Sequence, residues 1–177
     1  MMKSELLKTL KDLELNLAPI SIMSDFEVAF TQASRATFPG AEHNGCFFHF
    51  SQCIFRAIQV AGLQARFEAD VKFALTMRML PALAFVPGQN VVSAFETLCE
   101  SDELPLEAEP VVQYFEENWI GKVNLRRQRS QPRFQLIWWN AFDATKANLP
   151  RTNNNVEAWH RVSEALVGAH HENLSEY

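Results

Sequence analysis

The chain has 177 residues, 47% of them hydrophobic, and a formal net charge of -5. That is enough apolar material for one domain with a substantial core, which excludes wholesale disorder, and the acid excess argues against a protein that is basic over its whole surface. Three cysteines, Cys46, Cys53 and Cys99, are too few and too irregular for a disulfide framework, and no apolar run reaches the roughly 18 to 20 residues of a membrane span, so the sequence predicts an intracellular protein without a membrane partner.

Leu6, Leu7, Leu10 and Leu13 recur at helical spacing among lysines and acids, which predicts an amphipathic helix over 4–16 rather than a secretory signal. Pro19 ends it. Ile20, Ser21 and Ile22 alternate up to Ser24, which suits a short strand. Phe26, Ala29, Phe30 and Ala33 then predict a helix from Asp25 or Phe26 to near Ala36, broken by Pro39 and Gly40. The aromatic stretch 43–50 favours a second strand, with a helix start near His49 as the alternative. From Phe50 the spacing is helical to Gly62, and further helices are expected near 64–79, 89–100 and 108–119. The segment 122–135 is polar, basic and without periodicity, so it reads as an exposed arm. Aromatic density returns from Phe134 to Phe142, and Val156, Trp159, Ser163 and Leu166 or Val167 outline a last helix.

Two strands do not make a stable sheet by themselves. The pattern therefore suggests a truncated domain, or one completed by a homo-oligomer or a complementing chain.

Several residues could carry chemistry. Asp25 stands at the carboxyl end of the first strand, where open α/β sheets place functional groups, although Ser24 and Glu27 also fit a capping box with Asp25 at the positive helix end. Glu157 has the same ambiguity, with Asn154 as a candidate cap. Two acids at element ends could share divalent metal through oxygen ligands, and two-metal phosphoryl transfer needs such carboxylates. His43, Cys46, His49 and Cys53 have ligand types and spacing that zinc accepts, but simple core packing among Phe47, Phe48 and Phe50 is the stronger reading. Carboxylates accumulate from Glu96 to Glu117 without a Lys or Arg, and then Lys122, Arg126, Arg127, Arg129 and Arg133 follow. Such blocks are usually solvated faces, yet the basic one is a candidate phosphate contact. The tryptophans at 119, 138, 139 and 159 could stack on bases, with core packing the expectation for most; Trp138 and Trp139 cannot both face inward on a helix unless it is deeply buried.

Taken together, SDFEVAF, FPGAEHNGCFFHFSQCIFRAIQ and PRTNNNVEAWH resemble the Mutator-like element transposase domain: an acid at a strand end, a C-x2-H pair, a helix with Gln and Arg, and a T-N-N-x-x-E-x-x-H segment. The likeness is close over 19–62 and 149–161 and looser between. It implies an α/β class, a partial RNase H-like fold with two retained strands and a large all-helical insertion, predominantly helical overall. The implied organisation is a partial core over 1–49, an insertion over 50–148, and a C-terminal helix over 149–177. It also implies Mg or Mn ions, DNA as partner and a nuclear location. Asp25 and Glu157 would be the second and third metal-binding acids, Cys46 and His49 the C-x2-H pair, and His160 the end of the last motif, with Asn154 and its neighbours orienting the helix that presents Glu157. The family's first acid has no convincing counterpart before Asp25, so the resemblance implies a chain that does not cut DNA alone. A repurposed DNA- or protein-binding module and a small zinc-stabilised protein are the alternatives.

Overall fold

A computed structural model describes residues 2–14 and 16–152. Within them the chain is predominantly helical, with one parallel pair of strands. Helix α1 (Met2–Leu13) packs on α2 (Val28–Thr37), where Lys11 donates to the Thr37 carbonyl at 2.9 Å and lies over the Phe38 ring. Of its leucine stripe, Leu6, Leu10 and Leu13 stay exposed.

Strand β1 (Ser21–Ser24) pairs with β2 (Glu42–Gly45), Ser21 opposite Glu42 and Ser24 opposite Gly45, with α2 as the crossover. The second strand is shorter than the sequence suggests. Gly45 lies so close to the Phe26 ring and the Trp138 carbonyl that a Cβ there would clash with both, and the chain leaves the sheet immediately after it. Cys46 closes the pair by donating its N–H to Ser24 at 2.8 Å and takes the N-cap position of α3 (Phe47–Val60). The aromatic residues expected on a strand therefore open a helix, because Phe47 and Phe50 find ring partners on one helical face.

Phe50, Ile54 and Ile58 are the buried stripe of α3, and Gly62 ends that helical stretch at a φ of 74° that glycine tolerates. The single helix expected over 64–79 is two, α4 (Gln64–Ala69) and α5 (Val71–Ala82). Asp70 divides them: its carboxylate accepts from the Phe73 N–H at 3.1 Å, an N-cap that competes with a continuous helix. The α6 helix (Val91–Glu100) and α7 (Glu109–Phe115) follow, and α7 widens into a π-turn over Glu116–Ile120 that buries Trp119.

Two short helices, α8 (Leu136–Trp139) and α9 (Phe142–Lys146), return the chain to the strands, α8 packing against β2. Asn140 holds the junction, donating to the Val86 carbonyl at 2.8 Å and accepting from the Phe142 N–H at 3.2 Å.

The core is aromatic and centres on Phe50. Its ring stacks on Trp139 at 4.9 Å between centroids and meets the edge of Trp119 at 4.7 Å, with Phe26 and Phe115 at 6.2 Å. Aromatic contacts of this kind add to the burial of the rings themselves. Truncating Phe50→Ala should cost about 3–5 kcal/mol of unfolding free energy, read by urea titration, whereas Phe48→Ala, on the exposed side of the same helix, should cost less than about 1 kcal/mol.

Candidate functional site at the carboxyl ends of the strands

The carboxyl ends of β1 and β2 form a small open cleft lined by Ser24, Asp25, His43, Asn44, Gly45 and Trp138. Asp25 is exposed at its mouth. The capping box expected from Ser24 and Glu27 does not form: Ser24 donates its hydroxyl to the Asp25 carbonyl at 3.0 Å, and α2 starts at Val28 without a side-chain cap. The Asp25 carboxylate instead accepts from the Glu27 N–H at 3.3 Å, a local turn two residues ahead of the helix N-cap. That turn bends the chain before Ser24 can reach the first helical N–H groups, and the acid stands clear of the helix.

His43 on β2 is committed to its own scaffold. Its Nδ1 lies 3.2 Å from the Ser34 hydroxyl and its Nε2 3.4 Å from the Phe38 carbonyl, which ties β2 to α2. Cys46 is fully buried under the start of α3. One turn on, His49 has a buried Nδ1 without a hydrogen-bond partner among the described residues. Cys53 follows on α3, half-buried; burial pushes its thiol pKa up, Arg56 and Arg133 pull it down, and Asp25 pushes it up. Among the described residues no group of three or more His, Cys, Asp or Glu side chains could hold a metal ion, so the histidines and cysteines of 43–53 do not converge as a zinc site would require. Mg or Mn, which favour octahedral oxygen ligation, would find Asp25 as the one carboxylate among the described residues lining the cleft.

Glu157, Asn154 and His160 lie outside the described residues, as does Trp159. The segment that leads to them does not. The Arg151 carbonyl accepts from the Phe47 N–H at 2.9 Å, and the Arg151 guanidinium lies 5.9 Å from the Phe85 ring centroid.

The basic stretch, expected as an exposed loop or arm, is exposed from Lys122 to Gln128 and closes on itself as a hairpin. Val123 bridges Arg129 in antiparallel fashion, the Ser130 N–H bonds Lys122 at 2.8 Å and the Asn124 N–H bonds Gln128 at 2.9 Å. Gly121 makes its base, with a φ of 97° and no room for a Cβ against the Ser130 carbonyl. Arg129 is structural: its guanidinium bonds Glu116 and Glu96 at 2.7 Å each and the Gly121 carbonyl at 2.6 Å. Burial opposes its charge, but the bonds to Glu96 and Glu116 outweigh that and raise its pKa. Lys122 pairs with Glu117 at 3.2 Å on the surface. Arg126 and Arg127 occupy the tip, and Arg133 lies over the Phe134 ring at 5.4 Å.

Trp138, one of the four tryptophans that could stack on bases, walls the cleft, and Arg35 from α2, which no sequence pattern marks as a site residue, lies 4.3 Å from its ring centroid. Trp139 is buried in the core, while its neighbour Trp138 is half-buried, packing on the edge of that core beside Phe134 as well as walling the cleft. Trp119 is also core.

The asymmetry between the two stem cations is measurable. Arg129→Ala should lower stability by about 2 kcal/mol, the scale of charge-assisted hydrogen bonds, while Lys122→Ala should change it by less than about 0.5 kcal/mol, both by thermal or urea unfolding. No family model, no curated protein and no solved structure matches this chain.

Proposed function

We propose that this chain is part of a Mutator-like transposase-type nuclease domain, an RNase H-like core with a helical insertion. In that domain Asp25 and Glu157 would serve as metal-binding acids on DNA in the nucleus. The observation that carries the reading is the hydrogen bond between the Phe47 N–H and the Arg151 carbonyl. After about a hundred residues of helices and the hairpin, the chain returns to the strand end where Asp25 stands, immediately before the segment that resembles the family's last acidic motif. Glu157 is six positions beyond Arg151 in the sequence. Two further features support the reading. Asp25 is not consumed as a helix cap, and the parallel β-α-β unit is followed by a helical region, as the resemblance implies.

Bound Mg or Mn would supply charge stabilisation at a phosphate. The chain's own contribution would be to hold the Asp25 carboxylate at the strand end by its turn and to wall the cleft with Trp138. The sequence holds no convincing counterpart of the family's first acid, so these 177 residues alone should bind metal weakly and leave DNA uncut.

Titrating the full chain with Mn(II), followed by water-proton relaxation, tests the pair. Affinity should fall at least tenfold in Asp25→Asn and in Glu157→Gln; equal affinity in the wild type and both variants sinks the assignment. DNA cleavage that disappears in Asp25→Asn would overturn the expected inactivity while leaving the metal pair standing.

A second reading is a non-catalytic module that binds DNA or protein. It is favoured by the absence of ion-pair partners for Arg126, Arg127 and Arg133 among the described residues. DNA affinity indifferent to both Mn(II) and Asp25→Asn, together with no metal binding, would select it.

A further inference from the structure

We propose that the hairpin over 121–130 is a DNA-probing device, with Leu125 as an apolar wedge against a base step of a duplex and Arg126 and Arg127 as contacts to the flanking phosphates. This rests on the nucleic-acid part of the reading above, though on neither Asp25 nor any metal.

Leu125 is 105% exposed, so the whole side chain stands in water. Single exposed leucines are ordinary on protein surfaces, and this one differs in how it is held. Asn124 fixes the tip on both sides, its side-chain oxygen accepting from the N–H groups of Arg126 at 2.9 Å and Gln128 at 3.0 Å. Its carbonyl accepts from the Arg127 N–H at 2.9 Å. Arg127 is held at a φ of 56°, a conformation that β-carbon sterics disfavour. The stem below is anchored through Arg129 to α6 and the π-turn. A leucine between two arginines is therefore presented on a fixed backbone.

Charge decides the occupant. From Asn118 to Phe142 there is no Asp or Glu, in a chain whose net charge is -5. Glu117 and the Glu96–Glu116 pair neutralise the stem cations Lys122 and Arg129. Neither tip arginine has an ion-pair partner among the described residues, so the tip is left as an uncompensated cation pair suited to a polyanion. Shape narrows the choice further. A stable protein partner needs roughly 800 Å² a side, more than a five-residue tip offers, whereas strands can enter the minor groove of a duplex. Apolar side chains inserted at a base step partly unstack it, and leucine is among the residues that do so.

The test uses the full chain and a duplex carrying 2-aminopurine, beginning at roughly 50 mM salt, where phosphate contacts are strong. The wild type should bind with a steep salt dependence and raise the 2-aminopurine fluorescence as the step unstacks. Arg126→Ala with Arg127→Ala should weaken binding tenfold or more and flatten the log–log salt slope by about two. Leu125→Ala, at a position where no packing is lost, should keep the slope and abolish the fluorescence rise. Absence of binding at low salt, variants that bind like the wild type, or a rise that survives Leu125→Ala would each overturn the proposal. Equal binding to heparin with no rise on duplex would overturn it too, by reducing the tip to a general polyanion surface. Mn(II) affinity that falls in Asp25→Asn together with an inert tip would remove the wedge alone. A working wedge with no metal binding would remove the catalytic reading alone.

Discussion

The structure depends on the rings gathered around Phe50. A two-stranded sheet cannot bury enough surface to persist in isolation, and β1 and β2 stand because Phe26, at the end of the first strand, is held in the same aromatic cluster as Trp119, Phe134 and Phe50. Phe50 then carries the cluster to Trp139 and Phe115, so helices far apart in sequence share one core. The same demand shortens β2. Phe47 and Phe50 must both face the rings, helical spacing allows it, and a strand would send residues three apart to opposite faces.

That packing also decides what is available at the strand ends. Trp139 is fully buried, and Trp138 packs on the edge of the core and covers the cleft. Gly45 lets the Phe26 ring and the Trp138 backbone approach the end of β2 more closely than any side chain would permit. Arg151 reaches the first turn of α3 because α8 and α9, locked by Asn140 against the loop after α5, return the chain there. The cleft and the returning segment are thus consequences of the core, and the Asp25 carboxylate is the exposed group they frame.

Charge is distributed by the same logic. The acidic run ending at Glu117 and the basic run starting at Lys122 resemble separate solvated faces in sequence, yet they fold onto each other: Arg129 spans Glu96 on one helix and Glu116 on the next. A basic stretch that looks uniform is divided into stem cations that are neutralised and tip cations that are not. That division could not be read from spacing, because Glu96 and Arg129 are distant in the chain and meet in the fold, where Phe95 of α6 stacks on Phe115 of α7.

By itself the sequence determined the order of elements, the first strand, the helical character after Phe50, the stops at Gly62 and Gly121, and the candidacy of Asp25 at a strand end. These are local matters, set by apolar periodicity and by backbone conformations that few residues adopt. Tertiary structure alone decided that Ser24 and Glu27 form no capping box, that Asp70 divides a predicted helix, that the exposed basic arm closes as a hairpin, and that Trp139 is buried more deeply than Trp138. Each of those outcomes is a competition between a local preference and a partner distant in the chain, and the distant partner is fixed only once the aromatic core has closed.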